Sequence, residues 1–188
     1  MYKYLYTKVE QMSSFAIHKF YYLMNSQLTD VQISELLEVQ KDLTYTEYAY
    51  NGLKDGNEIT LTKSEWSLIP TWTRDLIPNN FDIRHIVFLK NKGNLYCHSD
   101  GRSSGRECVI TYPLNVINDS PTIWYADEDG TQELARLHHC GKAYLTNVYE
   151  WHGVDPYHSY RYFLQICVNG KWEDIVTQML DLGLIGGA

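Results

Sequence analysis

The sequence lacks a hydrophobic run long enough to cross a bilayer, and its N-terminus lacks the charged-then-apolar layout of a signal peptide. Positive charge is also scarce, because 16 Lys and Arg stand against 23 Asp and Glu, for a formal net charge of −7. This balance argues against bulk binding to nucleic acid, which requires a basic surface. We therefore expect a cytoplasmic protein that contacts no membrane.

Cysteine is sparse and no CxxC motif is present. The four cysteines, each inside an apparent strand or directly after one, are Cys97, Cys108, Cys140 and Cys167. We expect free thiols rather than disulfides, as in a reducing cytosol. Cys140 follows His138 and His139, but successive strand residues face opposite ways, so the three side chains cannot converge on one ion without a distortion of the strand.

What the sequence has in quantity is aromatic residues, with 16 Tyr and 5 Trp in 188 residues. Aromatic side chains favour strands, and from Ile83 onward short strand-like runs alternate with Gly, Asn or Asp. The predicted strands are Ile83–Leu89, Asn94–His98, Glu107–Leu114, Thr122–Tyr125, Leu134–His139, Ala143–Thr146 and Arg161–Val168. Short strands at this spacing predict a β-sandwich or jelly roll.

Helical periodicity is confined to the two ends of the chain. One helix of about three turns is predicted to begin near Ser26–Asp30 and to end near Asp42. A second is predicted within Glu173–Leu184, where Ile175, Met179 and Leu182 recur at helical spacing. The length fits a single domain. We expect residues 1–82 to form helices and strands that support the core and lie on its substrate side, residues 83–170 to form the catalytic jelly-roll core, and residues 171–188 to form a C-terminal helix and tail.

The segment Leu95–Asp100 carries the strongest chemical signal. Residues two apart on a strand face the same side, so His98 and Asp100 are expected to project together. An imidazole and a carboxylate in this arrangement, completed by the distant His152, match the 2-His-1-carboxylate facial triad. The sequence therefore predicts a metal site that leaves coordination positions open on Fe(II).

Arg161 follows nine residues after His152, across a predicted turn at Asp155-Pro156. From the neighbouring strand it could hold a second, carboxylate-bearing ligand. Arg161 shares one strand face with Phe163, Gln165 and Cys167, and the opposite face is more apolar. If Arg161 faces the interior, helices must cover that apolar face; in the alternative, Arg161 is solvated and the apolar face forms the interior.

Several motifs together resemble the Fe(II)/2-oxoglutarate dioxygenases, particularly prolyl hydroxylases of the hypoxia-factor type and their microbial and viral relatives. These motifs are His98-Ser99-Asp100, Gly105-Arg106, Tyr112-Pro113-Leu114-Asn115, His152-Gly153-Val154-Asp155-Pro156 and Arg161-Tyr162. The resemblance covers roughly Ile83 to Val168. It implies a mainly β fold with flanking helices, a double-stranded β-helix of the jelly-roll or cupin-like kind.

The resemblance also implies roles for particular residues. His98, Asp100 and His152 would ligate Fe(II), and Arg161 would bind the distal carboxylate of 2-oxoglutarate. With O2 as the other cosubstrate, the enzyme would hydroxylate a peptidyl proline, another amino-acid side chain or a small molecule, releasing succinate and CO2.

One position departs from the family pattern. Pro113 stands where prolyl hydroxylases carry a second tyrosine that touches 2-oxoglutarate. Tyr96 and Tyr112 are the candidates to replace that contact. Arg106 could steer the substrate or support the loop that follows the triad.

Two other functional classes fit parts of the pattern. A cupin-like metalloprotein would use the same three ligands without 2-oxoglutarate, but it would not need Arg161. A non-catalytic jelly-roll binding module would need neither a metal nor a cosubstrate.

Overall fold

The structure is a computed structural model, and it describes residues 18–43, 46–47, 53–61, 63–101, 106–115, 121–138 and 141–186. The strands are β1 (Tyr21–Leu23), β2 (Thr46–Glu47), β3 (Leu53–Leu61), β4 (Ile83–His98), β5 (Cys108–Pro113), β6 (Thr122–Tyr125), β7 (Glu133–Leu137), β8 (Tyr144–Asn147) and β9 (His152–Val168). The α-helices are α1 (Asp30–Asp42) and α2 (Trp172–Asp181), and short 3-10 helices span Lys63–Leu68 and Thr71–Leu76.

The strands pair antiparallel in the order β1-β8-β5-β9-β4-β3-β2, and β6 pairs with both β9 and β7. The long strands β4 and β9 take part in two layers. In the larger layer, which contains β5, Ile83–Asn91 of β4 pairs with Arg161–Val168 of β9. In the smaller layer, which contains β6, His152–Val154 of β9 pairs with β6 and with the end of β4. Register shifts between Asn91 and His98 mark the passage from one layer to the other. Such irregularities bend strands, and the result is the predicted double-stranded β-helix.

The two helices cover the outer face of the larger layer. Leu164, Ile166 and Val168 of β9 are buried in one core with Leu36 of α1 and Met179 of α2. Alternation along β9 then turns the other face inward, and Arg161, Phe163 and Gln165 line an internal cavity. This confirms the predicted orientation, in which the apolar face of the strand lies under helices.

The helix ends follow local capping chemistry. Thr29 and Gln32 form a capping box at the start of α1, which ends at Asp42 as predicted. In α2 the predicted Ile175 and Met179 are buried, but the helix stops before Leu182, which is 49% exposed. Gly183 adopts a φ of +65°, the left-handed conformation that commonly ends a helix.

Two strand predictions are corrected by the structure. Ile83–Leu89 and Asn94–His98 belong to one continuous strand, β4. The predicted turn at Asp155-Pro156 does not form, because β9 runs unbroken from His152 to Val168. Arg161 therefore follows His152 on the same strand and not on a neighbouring one. A proline is tolerated there because the pairing of β9 with β4 is irregular at the point where the strands change layers.

The remaining expectations concern packing. Cys97, Cys108 and Cys167 are free thiols as predicted, whereas His139 and Cys140 lie outside the described residues. None of the helices in the described part of the chain is both long and apolar enough to span a membrane.

Candidate metal and cosubstrate site

A cavity of about 350 Å³ lies between the two layers of the β-helix. Strands β4, β5, β6, β8 and β9 all contribute side chains to its wall. Part of the wall is apolar, with Val87, Leu89, Val109 and Phe163. The polar part brings together His98, Asp100, His152 and Arg161, which the sequence had singled out, with residues that it had not.

Strand pairing places the two histidines side by side. His98, the last residue of β4, pairs in register with His152, the first residue of β9, and their ring centroids are 4.2 Å apart. Asp100 is held behind them by its backbone N–H, which donates to the Val148 carbonyl over 3.0 Å. One potential ligand atom from each of His98, Asp100 and His152 lies within 4.8 Å of the others.

Backbone carbonyls orient both imidazoles. Nδ1 of His98 lies 2.8 Å from the Tyr96 carbonyl oxygen, and Nδ1 of His152 lies 2.9 Å from that of Glu150. A carbonyl only accepts hydrogen bonds, so each Nδ1 carries the proton and each Nε2 keeps its lone pair for a metal. Burial lowers the pKa of both histidines, that of His152 to about 4 with a further contribution from His98. The imidazoles are therefore neutral at physiological pH.

Arg106 anchors the carboxylate of the set. Its guanidinium forms an ion pair with Oδ2 of Asp100 and donates to Sγ of Cys167 over 3.4 Å. Burial opposes ionisation of Asp100, but Arg106 and the two histidines outweigh it and hold its pKa below the ordinary value. Oδ1 lies 3.5 Å from Nε2 of His98. Two neutral imidazoles and one carboxylate form a donor set that fits a divalent transition metal.

Arg161 lies in a polar section of the cavity wall. It is 5% exposed, and its guanidinium carbon lies 5.0 Å from the centre of the Phe163 ring. The hydroxyl of Tyr144 on β8 hydrogen-bonds to Thr111 and Thr122 and lies within the electrostatic influence of Arg161. Burial raises the pKa of Tyr144 even though Arg161 acts to lower it, so the phenol keeps its proton. A guanidinium and nearby hydroxyls are suitable donors for a carboxylate.

The expectation that Tyr96 and Tyr112 touch 2-oxoglutarate is not compatible with their positions. The side chain of Tyr96 is 60% exposed and borders a surface groove instead of the cavity. Tyr112 lies in the core beneath the helices, where burial raises its pKa to about 12. Because Thr111 faces the cavity, strand alternation turns its neighbour Tyr112 away.

The sequence analysis did not identify Tyr144 as a site residue. Tyr144 pairs in register with Thr111, and both side chains face the cavity. The strand had been predicted, but its pairing partner and its inward face had not.

No protein-family model matches the chain, and a comparison with curated proteins finds no related sequence. Solved structures do share its fold. HygX from Streptomyces hygroscopicus, with nickel and 2-oxoglutarate bound, has a TM-score of 0.59 at 10% identity, covering 81% of this chain and 83% of its own. HygX is also solved with hygromycin B bound.

Two prolyl hydroxylases show the same likeness. One, from Trichoplax adhaerens in complex with a peptide of the hypoxia-inducible factor oxygen degradation domain, has a TM-score of 0.53 at 14% identity, covering 79% of this chain and 83% of its own. The viral collagen prolyl hydroxylase of Paramecium Bursaria Chlorella virus-1, a 2OG complex, has a TM-score of 0.52 at 12% identity, covering 84% and 100%. At these identities the likeness establishes the fold alone.

Proposed function

We propose that this protein is an Fe(II)- and 2-oxoglutarate-dependent dioxygenase. The observation that carries the proposal is the convergence of His98, Asp100 and His152 in the same cavity that Arg161 lines. Structures of similar fold hold nickel and 2-oxoglutarate together, as HygX does. A cupin-like metalloprotein would share the three ligands, but the buried Arg161 and its neighbouring hydroxyls favour a carboxylate-bearing cosubstrate.

The proposed function assigns a role to several polar residues of the cavity wall. Nε2 of His98, Nε2 of His152 and the Asp100 carboxylate would hold the iron, and Arg106 keeps that carboxylate ionised and oriented. Arg161 would bind the distal carboxylate of 2-oxoglutarate through its planar guanidinium. When bound, the iron supplies the activation of O2 that is coupled to conversion of 2-oxoglutarate into succinate and CO2.

Tyr144 is the proposed replacement for the family tyrosine that is absent at Pro113. Its hydroxyl, together with Thr111 and Thr122, would donate to the same carboxylate that Arg161 binds. The apolar wall, which includes Phe163, would limit the access of water and so strengthen these hydrogen bonds.

The substrate would be a peptidyl proline, another amino-acid side chain or a small molecule that becomes hydroxylated. The similar structures include complexes of both kinds, since one prolyl hydroxylase holds a peptide and HygX holds hygromycin B.

The test is a titration of the anaerobic Fe(II) protein with 2-oxoglutarate, followed by the metal-to-ligand absorption band. Arg161→Ala should weaken binding roughly a hundredfold, because hydrogen bonds to charged groups contribute about 1.5–3 kcal/mol each. The matched control is Arg136→Ala, since Arg136 pairs with Glu133 and Asp155 and does not line the cavity. The absence of a band in the wild-type protein, or equal affinity in Arg161→Ala, contradicts the proposal.

Metal binding is tested separately by the metal content of purified variants. Asp100→Ala and His152→Ala should lose bound metal, whereas His138→Ala, which alters an exposed histidine, should retain it. Unchanged metal content in the first two variants would remove the basis of the triad.

A further inference from the structure

Two adjacent residues of β4, Arg84 and His85, both line the cavity. On a regular strand, neighbouring side chains face opposite sides of the sheet. Here the pairing passes from Ile83 opposite Val168 to His85 opposite Cys167, so β4 contains one residue more than β9 at this point. Arg84 is that extra residue, and a bulge of this kind redirects a side chain.

These two residues adjoin Arg106, the arginine that holds the metal-ligand carboxylate. The pKa of His85 is lowered first by burial and then by the charges of Arg106 and Arg84. Arg106 contacts Cys167, which is the pairing partner of His85. Arg84 and Arg106 therefore form a basic cluster beside His85, next to the triad.

The basic cluster lies far from the proposed 2-oxoglutarate-binding arginine. Arg161 pairs with Asn91, six residues further along β4 from His85. At about 3.3 Å per residue this corresponds to roughly 20 Å along the strand. A cosubstrate that binds Arg161 and the metal would therefore leave the basic cluster for another molecule.

The charge of the wall contrasts with that of the whole chain. Among the described residues that line the cavity, three arginines stand against one aspartate, a surplus of two positive charges, whereas the chain carries −7. A divalent metal and the 2-oxoglutarate dianion would cancel each other formally. The loaded cavity would therefore keep its positive charge and attract an anion.

We propose that the substrate to be oxidised carries a carboxylate or phosphate group, which binds Arg84 at this basic cluster. The inference rests on the proposed function and specifies its substrate class. A guanidinium fork matches both kinds of anion geometrically, and Arg106 adds to the local positive field. Binding the anion there would bring the adjoining part of the substrate next to the triad.

The experiment measures fragment binding to the protein loaded with Zn(II) and saturating 2-oxoglutarate, which keeps small anions away from Arg161. The probes are matched pairs followed by ligand-observed NMR: N-acetyl amino acids against their carboxamides, and N-acetyl-O-phosphoserine against N-acetylserine. We expect anionic members to bind about tenfold or more tightly than their neutral partners, and the preferred anion distinguishes a carboxylate from a phosphate substrate.

The preference should disappear in Arg84→Gln and persist in Arg136→Gln, which removes the same charge outside the cavity. Equal binding of neutral partners, no binding of any anion, or an unchanged preference in Arg84→Gln would each overturn the inference. Failure of the proposed function is recognised separately, because the wild-type protein would then bind no 2-oxoglutarate. The Arg84-dependent anion preference is also measured in the protein without Zn(II) and 2-oxoglutarate, so that it is tested even if the proposed function fails.

Discussion

Replacing Tyr144 by phenylalanine removes one hydroxyl and leaves the ring in place. Tyr144 is buried at the cavity wall, and its hydroxyl hydrogen-bonds to Thr111 and Thr122 close to Arg161. If that hydroxyl donates to 2-oxoglutarate, the variant should bind the cosubstrate more weakly and should still bind metal normally. The perturbation isolates one hydrogen bond without creating a large cavity.

The expected size of the effect follows from the charge of the acceptor. A hydrogen bond to a charged group contributes about 1.5–3 kcal/mol, and about 1.4 kcal/mol corresponds to a tenfold change in affinity. Tyr144→Phe should therefore raise the dissociation constant of 2-oxoglutarate roughly ten- to hundredfold. The loss should be no greater than that in Arg161→Ala, because the guanidinium remains. The free energy of unfolding should fall by only about 1 kcal/mol, the value of an ordinary hydrogen bond.

The assay is the anaerobic 2-oxoglutarate titration, paired with chemical denaturation of the metal-free protein. Tyr112→Phe is the matched control, since Tyr112 is equally buried but lies in the core beneath the helices. It should leave the affinity unchanged. Wild-type affinity in Tyr144→Phe, or an equal loss in Tyr112→Phe, would refute the assignment of the second cosubstrate contact to Tyr144.

Three further predictions concern stability and metal affinity. The metal-free protein should lose stability, on the order of 3 kcal/mol from His152, as the pH falls from about 6.5 towards 4. The reason is that the pKa of His152 is about 4 in the folded protein and returns to its ordinary value on unfolding. A flat denaturation profile over this pH range would contradict the prediction. Gly101→Ala should lower Zn(II) affinity ten- to hundredfold in a chelator competition, since a Cβ would collide with the Arg106 carbonyl behind the aspartate ligand. Leu164→Ala, at a fully buried site, should lower the free energy of unfolding by about 2–5 kcal/mol, whereas the partly exposed Leu180→Ala should change it far less.

Much of this architecture could be predicted because it depends on local pattern. Period-two alternation identified the apolar face of β9, and its packing beneath α1 and α2 agrees with that prediction. The same alternation suggested His98 and Asp100 as a pair, to be completed by His152, and the three side chains do lie together, although Asp100 lies just beyond the end of β4. These inferences needed only the direction of side chains along one strand.

Features that depend on pairing between strands could not be predicted in the same way. Tyr144 reaches the cavity because β8 pairs with β5 in a register that sets it opposite Thr111. Arg84 reaches it because of a one-residue bulge against β9. Tyr112 is turned away from the cavity because its neighbour Thr111 faces it, and the sequence alone did not show which face of that strand lies inward. Register is a tertiary property, and a shift of one residue exchanges the two faces.

The spacing between His152 and Arg161 shows how such irregularity serves the site. On a regular strand, residues nine apart face opposite sides, so these two could not share a cavity. Between Val154 and Arg161, however, β9 advances seven residues while β4 advances only four, from Leu95 to Asn91. The three additional residues are an odd number, so they reverse the alternation and turn Arg161 back to the side that Val154 faces. One strand can therefore carry both the metal ligand and the cosubstrate-binding arginine because its pairing is irregular between them.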